Sequence, residues 1–129
     1  MERQNVLLGT PNEELVGFSR AVRVGPFISV GGTAPTGDDG ETVGVGDVGA
    51  QTRRCFEIIR MALEGAGAGL SDVVRTRMLL TDVSDFEIVA GVRKEFVGEF
   101  QPVDTIVEVS GFVNPDWLIE VEADAIVAD

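Results

Sequence analysis

Glu120, Glu122 and Asp124 stand at alternate positions of the segment Leu118 to Val127. Side chains alternate along a strand, so these acids share one face. Trp117, Ile119, Val121, Ala123, Ala125 and Val127 fill the other, as a core face would. A row of acids can simply turn to water; if partly buried, it needs cations or hydrogen-bond donors beside it. The chain has no histidine and no tyrosine. Ser-His and Cys-His nucleophile systems and histidine-ligated metals are therefore excluded. The single cysteine, Cys55, excludes an intramolecular disulfide and a multi-cysteine zinc site. Proton transfer is left to carboxylates, Lys94, hydroxyls or water.

The 129 residues suit a single domain, residues 1–129, large enough to bury a core without metal or disulfide support. With 22 acidic and 10 basic residues the net charge is -12. Such a surface repels phosphate backbones and anionic membranes, so neither nucleic acid nor membrane is an expected partner. Lys94 is the sole lysine, and this acidic, lysine-poor balance resembles proteins of halophiles. In molar salt the Debye length falls to about 3 Å, which screens the self-repulsion. An ordinary acidic mesophile protein is the competing reading. No signal peptide and no apolar run of membrane-spanning length is visible, so the cytoplasm is the expected location.

The elements that must position the acids follow in order. Asn5 to Leu8 predicts a short strand, and Thr10 to Glu13 a loop. Phe18 to Val24 alternates as a strand with one wet face, Gly25-Pro26 turns, and Phe27 to Gly32 returns as the second half of a hairpin. Gly31-Gly32 within a strand predicts a bulge, or a place where a backbone or ligand comes close. Gly44-Val45-Gly46-Asp47-Val48-Gly49 matches a dinucleotide fingerprint by letter only. A glycine-rich loop, not a strand, leads into it, and Asp47 would face the pyrophosphate. Asp47 reads instead as the N-cap of a helix to about Gly65. Val48, Cys55, Ile58, Ile59, Ala62, Leu63 and Ala66 form its apolar stripe, which makes Cys55 a buried small hydrophobe.

Val73 to Thr81 reads as a strand, with Arg75 and Arg77 on one face and Val74, Met78 and Leu80 on the other. Ser84-Asp85-Phe86-Glu87 reads as a capping box with a Val83–Ile88 staple. Phe86, Val89, Val92 (or Arg93), Phe96 and Phe100 then follow at helical spacing, the phenylalanines as core packing, in a helix that Pro102 stops. Val103 to Val109 and Leu118 to Val127 are strands flanking the turn Asn114-Pro115-Asp116. Two amphipathic helices on one face of a mixed sheet make an α+β two-layer arrangement. The uncovered face, with apolar residues such as Leu118 and Ile126, is expected to meet other copies about a symmetry axis. Arg75 and Arg77 are placed to pair with Glu120, Glu122 or Glu108.

Several of these stretches resemble the RidA family, also called YjgF. Gly17 to Gly25 resembles its opening strand, and Asp47 to Thr52 the start of its first helix. Asp72 to Arg77 and Leu80 to Phe86 resemble its middle strand and second helix. Pro102-Val103-Asp104-Thr105, Val107 to Val109 and Ile119 to Ala123 resemble its signature end. The resemblance implies a chorismate-mutase-like fold, a homotrimer and a small-molecule pocket at each subunit interface. It also implies hydrolysis of enamine and imine intermediates to keto acids and ammonia, with no cofactor or metal. In the family an arginine grips the substrate carboxylate, a carboxylate helps the water, and a tyrosine and a serine line the pocket.

By the same resemblance the arginine position is Asp104, the tyrosine position Phe18 and the serine position Gly31. Glu120 keeps the carboxylate and is the expected catalytic residue; Phe18, Gly31 and Asp104 are the expected substrate-binding positions. A unit charge pair at about 4 Å is worth on the order of 4 kcal/mol at an effective dielectric near 20. Arginine to aspartate turns that attraction into repulsion. The expected function is therefore a deaminase-like hydrolase acting on, or binding, a small metabolite other than the usual 2-imino acids. A non-catalytic ligand-binding or regulatory trimer is the alternative. An RNA-acting role is opposed by the charge. The usual activity would need another arginine, such as Arg20 or Arg23, to reach the pocket.

Overall fold

The computed structural model describes residues 1–128. Its strands are β1 (Arg3–Val6), β2 (Ala21–Val24), β3 (Phe27–Thr33), β4 (Val73–Leu80), β5 (Val103–Glu108) and β6 (Ile119–Ile126). Its helices are α1 (Pro11–Val16), α2 (Val48–Gly65) and α3 (Phe86–Val97). The strands form one six-stranded sheet in the order β1-β2-β3-β6-β4-β5. Only β4 and β5 run parallel; the other neighbours are antiparallel. The flanks of the Asn114 turn therefore do not pair with each other, because β4 lies between β5 and β6. This is the expected two-layer α+β arrangement with a mixed sheet.

The core fills the space between the sheet and the two long helices. Cys55, Phe56, Ile59, Ala62 and Leu63 of α2 meet Ile28, Met78, Val121, Ala123 and Ala125 of the sheet. Cys55 is fully buried, and burial pushes its thiol far above the ordinary range, so it packs and does not react. The sequence stripe of α3 is only partly the core face. Val89, Val92 and Val97 are buried and Phe96 stacks on Phe56 at 5.3 Å, but Phe86 and Phe100 stay exposed. The predicted Ser84 capping box does not form. Asp82 instead accepts from the Ser84 backbone and hydroxyl, and a 3-10 turn over Val83–Asp85 leads into α3. A further departure lies in β4, where an irregularity between Val73 and Arg75 turns Val73, not Val74, into the core.

The segment read as a loop at Thr10 to Glu13 begins a helix. Thr10 accepts from the Glu13 backbone while the Glu13 carboxylate accepts from the Thr10 backbone, a capping box ahead of a short helix with Pro11 in its first turn. The signal Thr-x-x-Glu was present in the sequence. Glu13 is only 5 % exposed and also accepts from the Leu8 backbone, so it closes the loop between β1 and α1. Burial alone would raise its carboxyl. Hydrogen bonds from Leu8, Thr10 and Gly9 outweigh that and hold it below the ordinary value.

A carboxyl depressed in the fold contributes stability above its unfolded value and loses it as pH falls through the folded one. Glu13→Gln should therefore lower stability by about 1–2 kcal/mol at neutral pH, with the difference shrinking in acid. Urea midpoints at pH 7 and below pH 4 would measure it; an equal loss at both would contradict the ionised role.

Candidate functional site

Glu120, Glu122 and Asp124 do share the uncovered face of β6, and each meets a different environment. Asp124 accepts from the Ser29 hydroxyl at 3.0 Å. Glu122 pairs with Arg77 at 3.8 Å, both side chains at least a third exposed. Arg75 stands opposite Asp124 in register. Ser29, Gly31, Arg75, Arg77, Glu122 and Asp124 line a cleft of about 200 Å³ on this face. Glu108 does not join them; it accepts from the Val83 backbone.

Glu120 sits beside the irregularity in β3. The pairing of β3 with β6 slips between Val30 and Thr33, so Gly31 and Gly32 form the predicted bulge. A Cβ on Gly32 would lie 2.6 Å from the Glu120 Oε1 atom. Only a residue without a side chain lets that carboxylate rest against β3. A Cβ on Gly31 would lie 3.1 Å from Nη2 of Arg20. Arg20 leads into β2, and its Nη2 donates to the Gly32 carbonyl at 2.7 Å. The guanidinium carbon stands 5.5 Å from the centre of the Phe18 ring. Burial pushes the Glu120 carboxyl above its ordinary value; Arg20 pulls it back and Glu122 pushes it up again. Burial likewise draws Arg20 down, against the upward pull of Glu13 and Glu120.

The core fixes the start of β6. Gln51 is fully buried in α2, where its Nε2 donates to Gly44 and Asp116 carbonyls and its Oε1 accepts from the Leu118 backbone. That amide pins the chain two residues before Glu120. Arg23, the other candidate arginine, is committed elsewhere. It donates to the Gly25 carbonyl and to the Ala66 carbonyl at the end of α2, away from Glu120.

The structure thus brings Glu120, Phe18 and Gly31 together and adds Gly32 and Arg20. It does not bring Asp104 to them. Asp104 stands opposite Thr76 in the parallel β4–β5 pair, and Thr76 is a core-facing residue. Asp104 therefore projects on the helix side of the sheet, whereas Glu120 projects on the uncovered side, with β4 between their strands. Nor is Asp104 an isolated anion. It accepts from the Thr76 hydroxyl at 2.7 Å and lies 3.5 Å from Nε of Arg93, which in turn donates to Thr76 and to the Pro102 carbonyl. The expected charge inversion is thus partly cancelled by Arg93. Among the described residues no cluster of acidic or cysteine side chains could hold a metal ion.

The family model described as endoribonuclease L-PSP matches residues 11–127. A RutC family protein of Pyrococcus abyssi is 42% identical over 106 residues, 82% of this chain and 83% of that one. The 3-aminoacrylate deaminase RutC of Acinetobacter baylyi is 35% identical over 113 residues, 88% of each chain. Among solved structures, Rv2704 of Mycobacterium tuberculosis, of the YjgF/YER057c/UK114 family, superposes with a TM-score of 0.89 at 44% identity, covering 98% of this chain and 100% of that one.

Gly32→Ala isolates the cradle. The clash falls on the mobile end of the Glu120 side chain and not on backbone, so the fold should survive with a melting temperature within a few degrees of the parent. Glu120 should be displaced, with loss of at least about tenfold in any turnover that depends on its position. An unchanged turnover in a folded Gly32→Ala protein would show that the cradle is irrelevant.

Proposed function

The chain belongs to the RidA/YjgF family, described by its family model as endoribonuclease L-PSP, and from that premise we propose that it is a deaminase-like hydrolase of small imines or enamines. The single observation that carries this reading is the Glu120 carboxylate, held in the glycine cradle beside Arg20 with its affinity for a proton raised by burial. A carboxylate whose affinity for a proton is raised is suited to take and return one. Water adds to the imine carbon while Glu120 accepts one of its protons. That proton passes to nitrogen; the remaining hydroxyl proton is then taken by Glu120 and handed to nitrogen as the C–N bond breaks, and a carbonyl compound and ammonia leave. An enamine first takes a proton on carbon to become the imine. The name of the Acinetobacter relative, a 3-aminoacrylate deaminase, supports this class of reaction. No metal or cofactor is required by these steps.

Position 104 cannot grip a carboxylate as an arginine would, since it presents an acid already tied to Arg93 and Thr76. The preferred substrate is therefore a small metabolite other than the usual 2-imino acids seated through their acid at position 104. A non-catalytic ligand-binding or regulatory role is the second reading. Phe18 and Gly31 favour it, since neither offers a hydroxyl. Action on nucleic acid is disfavoured by the net charge of -12, despite the family description.

The working form is a homotrimer in the cytoplasm, with ligand clefts between subunits. Two observations support association. Glu120 and Asp104 lie on opposite faces of one sheet, so a cleft holding both needs two chains. The edge strand β5 also exposes Val103 and Val107, next to an exposed Phe100. Size-exclusion chromatography with light scattering in high salt should give a trimer; a clean monomer would contradict this assembly.

The chemistry is tested by generating imines of several amino acids and neutral amines in the presence of the protein and following carbonyl and ammonia release. Acceleration is expected for at least one imine, lost by at least about a hundredfold in Glu120→Gln. The rate should fall in acid with an inflection above the ordinary carboxylate range, because the working form of Glu120 is ionised. Acceleration that survives Glu120→Gln unchanged would sink the mechanism, and none with any imine would leave the binding role.

A further inference from the structure

We infer that Arg20 is the ligand-gripping cation of this site, seating a carboxylate on the same wall as Glu120. The inference rests on the reading of Glu120 as the working carboxylate of a small-molecule site, but it does not require turnover.

The argument begins with what the guanidinium lacks. Arg20 is half-buried, yet no carboxylate among the described residues lies within ion-pair contact of it. Glu13 and Glu120 act on it through space only, and Glu13 has its oxygens occupied by the Leu8 and Thr10 backbone. The Nε atom is the sole buried side-chain nitrogen or oxygen without a partner among the described residues. Nη2 is satisfied by the Gly32 carbonyl. Among the described residues Nη1 has no acceptor, and it is not shut off from the surface. A partly desolvated cation with spare donors is an expensive arrangement unless something anionic completes it.

The guanidinium is also held ready. The Gly32 carbonyl fixes one end of the fork and the Phe18 ring stands against it, so little rotamer freedom remains to be lost on binding. Gly31 keeps the space beside Nη2 open, and Gly31 also borders the cleft on the uncovered face of the sheet. A serine in its place would crowd the guanidinium. Gly31, Arg20 and Phe18 therefore act as one unit: the loss of a side chain at one position makes room for a cation at the next. A planar fork of this kind matches a carboxylate. A ligand held here would keep its acid near β2 and β3, with the neighbouring carbon facing Glu120.

The test measures binding of 2-oxobutanoate and of its methyl ester by calorimetry or ligand-observed NMR, to the parent protein, Arg20→Gln and Arg20→Lys. The acid should bind the parent at least about tenfold more tightly than the ester. Arg20→Gln should erase that preference, and Arg20→Lys should keep part of it. The acid's affinity should fall with added salt and the ester's should not. Circular dichroism and sizing check that each variant is folded. Should Arg20→Gln not fold, the acid–ester comparison on the parent and Arg20→Lys decides. Equal affinity of acid and ester, no acid binding, or an acid preference unchanged in Arg20→Gln would overturn the inference. Failure of the deaminase reading looks different: the Arg20-dependent preference would persist with no imine hydrolysed. Hydrolysis that is independent of Arg20 would overturn this inference and leave the deaminase reading intact.

Discussion

Two missing side chains control the site. At Gly31 and Gly32 strand β3 slips against β6, and the two missing Cβ atoms let the ends of Arg20 and Glu120 come close to the strand. The constraint is steric before it is electrostatic. The glycines weaken the strand locally, as glycines in strands do, and that loss is offset by a buried core on the other face of the sheet. Gln51 adds a second anchor from the helix layer, since its amide holds Leu118 and so fixes where β6 begins. The acid and the base of the cleft thus hang on a bulge and an amide, neither of which is itself a reacting group.

Asp104 shows how its partners decide what a charge does in a fold. Standing alone, an aspartate would set up a field worth several kcal/mol at contact. In the folded chain Arg93 stands beside it and the Thr76 hydroxyl joins the two, so the local charge is nearly balanced. What remains is the absence of a grip at that position, not a strong repulsion. Arg20 offers a cation elsewhere, beside the bulge of β3.

Much of the architecture was legible because period and punctuation agreed. The alternation in β6 put its acids on one face, Asp47 capped α2 as expected, and the glycine pair marked the bulge. The misses have local causes. Thr10 to Glu13 carried a capping box that was read as loop because no long apolar stripe follows it. Val74 was given the core place of Val73 because alternation cannot foresee an irregular residue. The Ser84 box lost to Asp82, which reaches the same backbone from a turn earlier. The partners of Asp104 and Arg20 were beyond reach for a different reason: they join residues distant in sequence, through a sheet order that local patterns do not encode. Gln51 did leave a trace, as an amide in an otherwise apolar stripe.

The three carboxylates of β6 show why spacing alone cannot name a catalytic group. They share a strand, a face and a chemistry. Asp124 is satisfied by a hydroxyl and Glu122 by a half-exposed arginine, and both stand beside Arg75 and Arg77. Glu120 alone is pressed against backbone, partly desolvated, and faced by a cation that does not close on it. Desolvation raises its affinity for a proton while Arg20 keeps the ionised form accessible, and a group balanced between the two can both accept and return a proton. If Arg20 closed directly on Glu120, the pair would be inert, because each charge would satisfy the other. Because no ion pair joins the two, both charges stay available.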